Sequence, residues 1–254
     1  MSDPNCPHCN GTGFRIIERG GLTAAAKCDC GAVDRAAKLY DDANIPPKFE
    51  NATLDNYMLP LDNPIASSQL GTAVRRVHEF VRQYPSGPFL GLLLLGDPGI
   101  GKTHLAIGVM KALIQKGHEC VFFNYQTLIN QIRKDWDPLN ASGGRKAYDA
   151  AMHAEVLVLD DLGARRSDDW VQDTFEDIIS HRYDHKKSII ATTNLPDPDV
   201  TGKVGEQGVN LVPRRTLADA IGMRARSRLF DMCRIVRMPL VEDYRVKHGV
   251  IDKL

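Results

Sequence analysis

The chemistry easiest to read lies in eight residues, Gly96-Asp97-Pro98-Gly99-Ile100-Gly101-Lys102-Thr103. Their order satisfies G-x-x-x-x-G-K-[ST], the spacing of a loop that wraps a polyphosphate. Glycines let backbone N–H groups approach phosphate oxygens, and the start of a following helix favours negative charge. Lys102 would reach the β- and γ-phosphates and Thr103 would ligate Mg²⁺, with His104 next at the helix start. A chance glycine turn is the plain alternative. It leaves unexplained the apolar run Phe89 to Leu95 before the loop. It also leaves unexplained the helical pattern of Leu105, Ile107, Val109, Leu113 and Ile114 after it.

Two carboxylates close a second apolar run, Val156-Leu157-Val158-Leu159-Asp160-Asp161. Asp160, at a strand end, can hold Mg²⁺ directly or through water, and Asp161 can polarise an attacking water. A strand followed by an acidic turn has the same look in isolation. A third run, Ser188-Ile189-Ile190-Ala191-Thr192-Thr193-Asn194, ends in an amide able to hydrogen-bond a γ-phosphate or that water. A strand-ending asparagine turn is its alternative. In Arg224-Ala225-Arg226-Ser227-Arg228, Arg224 and Arg228 lie one helical turn apart. Either guanidinium, presented to a neighbouring copy's γ-phosphate, would stabilise transition-state charge. On these residues alone, a solvated basic face or contacts to nucleic-acid phosphates is the better reading.

Cys6-Pro7-His8-Cys9, followed by Asn10-Gly11-Thr12-Gly13, and then Cys28-Asp29-Cys30, set two thiol pairs on a short, turn-rich segment. Four thiolates suit tetrahedral Zn²⁺, and so small a segment would draw its folding energy from the metal. The set looks closed, hence structural. The second pair is tighter than C-x-x-C, and His8 can replace a thiolate. A redox pair or free thiols are the alternatives. Cys120 and Cys233 sit in apolar runs and read as small buried hydrophobes.

These groups need a scaffold. Apolar runs at 89–95, 120–124, 156–161, 188–194 and 233–238 alternate with helical patterns. The alternation calls for an α/β fold with a parallel sheet, right-handed crossovers and ligand at the carboxyl ends of the strands. The helices expected are 127–136, one capped by Ser167 that runs to about 185, and a basic helix over 216–230. Upstream, 31–43 looks helical and 49–64 reads as an extended connector. Leu70, Ala73, Val74, Val77, Phe80 and Val81 share the face of an amphipathic helix. Phe49 and Tyr57 are candidates to touch a base, with plain packing as the alternative. The expected divisions are a zinc-binding module over 1–44, connector and amphipathic helix over 45–88, and a nucleotide-handling domain over 89–254.

Thirty-two basic residues balance thirty-two acidic ones, so net charge argues for no nucleic-acid partner and against none. No apolar run is long enough to span a membrane, and Met1-Ser2-Asp3-Pro4 lacks the parts of a signal peptide. A cytoplasmic protein is expected.

Taken together, the motifs resemble the DnaC/IstB group of AAA+ ATPases, which comprises replicative-helicase loaders and transposase helper ATPases. The resemblance rests on the cysteine-rich start, Ile45-Pro46-Pro47-Lys48-Phe49 with Thr53-Leu54, the phosphate loop and the acidic strand with Leu162-Gly163. It continues through Ile178-Ile179, Arg182-Tyr183, Thr192-Thr193-Asn194-Leu195, Ser227-Arg228-Leu229 and Asp243-Tyr244-Arg245. It implies an AAA+ P-loop core with strand order 5-1-4-3-2, no helical lid domain, and ATP with Mg²⁺ as cofactors. Asp160 is then the Walker B acid. Asp161 stands where many relatives have glutamate, one methylene longer, which implies slow hydrolysis. Asn194 matches the sensor and Arg228 the arginine finger, with Arg224 a second candidate. The group's partners would be a replicative helicase hexamer, single-stranded DNA and further copies of the chain. Arg133, Lys134, Arg145, Lys146 and Tyr148 form the candidate DNA face, for which a solvated charged surface is the alternative. The cysteine module is a candidate for helicase docking or DNA contact. Residues 197–215 look like a polar insertion without an assigned role.

Overall fold

A computed structural model describes residues 6–19, 22–28, 30–60, 62–136, 146–164, 168–201, 215–241 and 244. At its amino end β1 (Phe14–Arg19) pairs antiparallel with β2 (Leu22–Lys27), Phe14 opposite Lys27 and Ile16 opposite Ala25. The sequence suggested only turns here, because Ala24-Ala25-Ala26 carries little strand preference. α1 (Cys30–Asp41) follows.

The stretch after α1 is irregular but pinned. A 3-10 turn spans Pro47–Phe49. Thr53 and Asn56 then exchange side-chain and backbone hydrogen bonds at 2.9 and 3.2 Å. α2 (Pro64–Gln83) starts where Asn63 accepts the Ala66 N–H, with proline at its first position. It buries Leu70, Ala73, Val77, Phe80 and Val81, the face that the sequence spacing predicts.

β3 (Gly91–Leu95), α3 (Lys102–Gln115), β4 (Cys120–Asn124), α4 (Tyr125–Asp135), α5 (Lys146–His153), β5 (Val156–Asp160), α6 (Asp169–Asp184) and β6 (Ser188–Thr193) build the core. α7 (Pro198–Thr201), α8 (Leu217–Ile221), α9 (Met223–Met232) and β7 (Cys233–Arg237) complete it. The sheet is parallel, in the order β4-β5-β6-β3-β7. Counting core strands alone, this is the expected 5-1-4-3-2. Both faces are covered, which explains the continuous apolar runs. Leu92, Leu94, Val156, Val158 and Ile190 pack with α2 and α3, while Leu93, Leu95, Leu157, Leu159 and Ile189 pack with α4 to α6, α8 and α9. Among the described residues no helix is long and apolar enough to cross a membrane.

Two boundaries differ from expectation. α6 is capped by Asp168, which accepts the Val171 N–H at 3.0 Å. Ser167, the expected cap, lies outside the described residues, as does the loop over 137–145. The expected basic helix over 216–230 is two helices, broken at Gly222 with φ 82° and ψ 150°. Its first turn is fixed by a capping box between Thr216 and Asp219, whose carboxyl is held below its usual range chiefly by the Thr216 N–H.

Arg182 of α6 locks the amino-terminal edge of the sheet. It is fully buried and donates to the carbonyls of Ala151, Met152, Ala154, Glu155 and Ser188. The first two are last-turn carbonyls of α5, where positive charge is favoured. Arg182→Met leaves these acceptors without the guanidinium and should cost about 2–4 kcal/mol in denaturant unfolding. A loss under about 0.5 kcal/mol, the scale of a surface change, would contradict this role.

Candidate nucleotide site

Between β3 and α3 the chain must reverse over the strand ends. Gly101 makes the final step at φ 82°, and a Cβ there would stand 2.5 Å from the Tyr57 ring. A side chain is excluded on both counts. Tyr57 crosses from the connector and donates its hydroxyl to the Ile100 carbonyl at 2.7 Å, and burial pushes its pKa up to about 12. His104 Nε2 lies 2.8 Å from the Thr53 carbonyl and 2.9 Å from Asn56 Oδ1. The Tyr244 N–H donates to Gly99 O at 3.1 Å. The loop is thus braced from outside, and Tyr57, a candidate for base contact, is one of the braces.

Lys102 is only 5% exposed. Its ammonium donates to the carbonyls of Gly96 at 2.8 Å and Asp97 at 2.7 Å. Thr103, one residue on, donates to Asp160 Oδ1 at 2.8 Å, and Thr192 donates to the same oxygen at 2.7 Å. Burial pushes the Asp160 carboxyl up, the two hydroxyls pull it back, and Asp161 adds to the rise. Asp161 sits in the left-handed region, φ 56°, with its N–H on Thr192 Oγ1 at 3.0 Å. Asn194 Nδ2 reaches Asp161 Oδ1 at 3.2 Å. Lys102, Thr103, Asp160, Asp161 and Asn194 therefore converge at the carboxyl ends of β3, β5 and β6. Thr103 gives its proton to Asp160, which leaves its oxygen lone pairs for a hard cation beside a carboxylate. These donors fit Mg²⁺, with Asp160 acting through Thr103 or through water.

The profile of IstB-like ATP binding proteins matches residues 89–248. The chain belongs to that family. Its curated relatives include the Bacillus subtilis protein YqaM, 27% identical over 68% of this chain and 55% of the relative. The replicative helicase loader DnaC of Escherichia coli is 19% identical over 75% of this chain and 74% of its own. A protein of insertion sequence IS5376 from Geobacillus stearothermophilus is 30% identical over 54% and 53%. The chain thus spans about half the length of the first and last of these. A crystal structure of the DnaC helicase loader superposes with TM-score 0.60 at 28% identity, covering 76% of this chain and all of that one. The fold is that of a DnaC/IstB-like AAA+ ATPase.

Other candidate residues of this IstB-like chain lie elsewhere. Arg224 and Arg228 both face Glu176 of α6, at 3.5 and 3.7 Å, in the layer opposite α3. Arg226 between them turns inward, bidentate on buried Asp197 at 2.6 Å, also on Asp199, and over the Phe230 ring. Arg133 pairs with Asp168 at 2.8 Å and lies over Trp170 at 4.8 Å. Trp136 stands 5.3 Å from Tyr148 and 5.5 Å from Trp170. Both tryptophans of the chain therefore join the expected basic segment, a grouping that distant positions 136 and 170 hide in the sequence. Lys134 and Lys146 are exposed, and Arg145 lies outside the described residues.

Cys6, Cys9 and Cys28 are buried with their sulfurs within 4.8 Å of one another, Cys6 and Cys28 at 3.7 Å. Sulfurs on a tetrahedral Zn²⁺ at ~2.3 Å stand ~3.8 Å apart, so the spacing fits. Tight turns set the first pair, with Asn10 N–H on Cys6 O and Thr12 N–H on Cys9 O. Cys30 is the first residue of α1, but its side chain lies outside the described ones, and His8 is exposed. Cys120 and Cys233 are buried in the core, and burial pushes the Cys120 thiol up to about 12. Purified chain should carry one Zn²⁺ by elemental analysis. Its removal by a chelator should unfold the segment through α1 and spare the ATPase core in amide exchange. A metal-free, ordered thiol cluster would contradict the assignment.

Proposed function

We propose that the chain is an ATP-controlled loader that places a replicative helicase on single-stranded DNA, working in the cytoplasm as a nucleotide-switched oligomer. The observation that carries this reading is the convergence of Lys102, Thr103, Asp160, Asp161 and Asn194 on one phosphate loop. The DnaC likeness, which covers all of one solved loader chain, supports the finer role. In this proposal residues 1–44 form the zinc module, 45–88 the connector and amphipathic helix, and 89–254 the ATPase domain.

The site residues then divide the work. Residues 96–104 bind the triphosphate, with Lys102 leaving the Gly96 and Asp97 carbonyls for phosphate oxygens. Mg²⁺, when bound, neutralises developing charge on the transferred phosphoryl group. Thr103 and Asp160 hold that cation. Asp161 orients the water whose oxygen attacks the γ-phosphorus and takes up its proton as the bond to the leaving diphosphate breaks. Asn194 holds Asp161 in that direction. Arg228, or Arg224, faces a neighbouring copy and contacts its γ-phosphate once freed from Glu176. Arg133, Lys134, Lys146 and Tyr148, with Trp136 and Trp170, offer cations and ring faces to an unpaired strand. The cysteine module docks on the helicase hexamer.

A second reading, a transposition helper that binds duplex DNA, is favoured by the IstB-like profile and the likeness to the IS5376 protein. A zinc-bearing adaptor that binds ATP without turnover is a third. Turnover by the intact chain should rise with single-stranded DNA and helicase, and Lys102→Ala should abolish ATP binding. Stimulation by duplex alone would favour the helper, and no turnover under any condition would favour the adaptor. Arg228→Ala should leave ATP binding to an isolated subunit intact and lower hydrolysis by ~10³. Equal loss of both would make Arg228 structural.

A further inference from the structure

A single hydroxyl touches both acidic residues of the site, one at its carboxylate and the other at its backbone. Thr192 Oγ1 donates to Asp160 Oδ1 at 2.7 Å and accepts the Asp161 N–H at 3.0 Å, and the residue is fully buried. A hydroxyl has one proton and two lone pairs. The proton goes to the first carboxylate and a lone pair to the backbone of the second. The register puts it there: Leu159 of β5 pairs with Ala191 of β6, and Leu94 of β3 with Thr192. Side chains alternate along a strand. Thr192 therefore shares the α3-facing side with Ile190, as Asp160 does with Val158, and Thr103 meets them from α3. Thr193 points its hydroxyl the other way, donating to Leu162 O at 2.9 Å and accepting the Leu195 N–H at 3.1 Å, while its carbonyl accepts the Gly96 N–H at 3.2 Å. The left-handed backbone of Asp161 needs outside support, because non-glycine residues leave that region unless held. Thr192 holds its N–H and Asn194 its carboxylate, beside the backbone bonds from Ala164 N–H to Asp161 O at 3.1 Å and from Leu162 N–H to Thr192 O at 2.8 Å.

We propose that Thr192 is a positioning residue for ATP turnover, whose hydroxyl keeps Asp160 turned to Thr103 and holds Asp161 in the turn that aims its carboxylate at Asn194. The proposal rests on the ATPase reading above. The end of β6 and the residue after it then carry three neighbouring functions: Thr192 sets the two acids, Thr193 meets the loop after them, and Asn194 meets Asp161. Any shift of β6 along β5 is transmitted to the cation-holding and water-orienting groups together.

The test compares the intact chain with Thr192→Val and Thr192→Ser. Valine keeps the volume and loses the hydroxyl, while serine keeps the hydroxyl. Without nucleotide, Thr192→Val should speed amide hydrogen exchange at Asp161 by about tenfold or more, and Thr192→Ser should not. Affinity for a non-hydrolysable ATP analogue should rise with Mg²⁺ over EDTA in the unmodified and serine chains, and Thr192→Val should lose about tenfold of that gain. Its kcat should fall about 10–100-fold while KM stays within about threefold, and serine should restore kcat. Unmodified exchange and an unmodified Mg²⁺ gain in Thr192→Val would overturn the proposal. So would a serine variant as impaired as valine, which would assign the effect to methyl packing. If Thr192→Val fails to fold by circular dichroism, Thr192→Ala replaces it and is read the same way. Failure of the unmodified chain to bind the analogue would sink the ATPase reading and this proposal with it. Binding by the unmodified chain, with valine behaving alike, would sink this proposal alone.

Discussion

A carboxylate buried at the ends of parallel strands is the constraint on which the site depends. Asp160 is 7% exposed, and a charge so placed is costly unless hydrogen-bonded. Its own strand cannot supply the donors. They come from Thr103 on α3 and Thr192 on β6, so three separate elements must arrive in register before the acid is satisfied. The order β5-β6-β3 makes this possible by setting the glycine-rich loop after β3 one strand away from β6 and two from the acid. Fold and site are two statements of the same packing.

The two edges of the sheet are held by opposite means. At the amino-terminal edge Arg182 gathers carbonyls from α5, from the two residues that lead into β5, and from β6, a cation surrounded by acceptors. At the carboxyl edge the polar groups are acids and hydroxyls, of kinds that suit a hard cation. Rigidity is placed at the first edge and exchangeable partners at the second. Lys102 illustrates the exchange, because its carbonyl contacts on Gly96 and Asp97 are of the kind that phosphate oxygens can replace. The irregular stretch before α2 braces the loop, Tyr57 on the Ile100 carbonyl and Thr53 with Asn56 on His104, so residues upstream of the family-matched region also shape the loop. Gly108 shows how closely it packs, since a Cβ there would meet Leu54 N at 2.9 Å.

Much of this was legible in the residues because the signals are local. The phosphate loop, the acidic strand and the amide at the tip of β6 each lie within one short run. Strand order followed from the family likeness and holds. What escaped depends on distance or on competition between local preferences. The β1–β2 hairpin hides in an alanine run. Gly222 divides a stretch whose charges suggest one helix, because a left-handed glycine ends α8 and starts α9. Arg226 reads as part of a basic face, yet it is the arginine that points inward, since Asp197 lies buried beneath it. Trp136 and Trp170 meet only in the folded chain. Thr192 was visible as one of two adjacent threonines, but the choice between them comes from strand parity and neighbours, which one sequence does not display.

The most direct measurement is a structure of the intact chain with Mg²⁺ and a non-hydrolysable ATP analogue. The expected result is Lys102 moved from the Gly96 and Asp97 carbonyls onto phosphate oxygens, with Thr103 on the cation and still donating to Asp160. An analogue bound away from residues 96–104, or a Lys102 still folded on its own loop beside bound phosphate, would contradict the account.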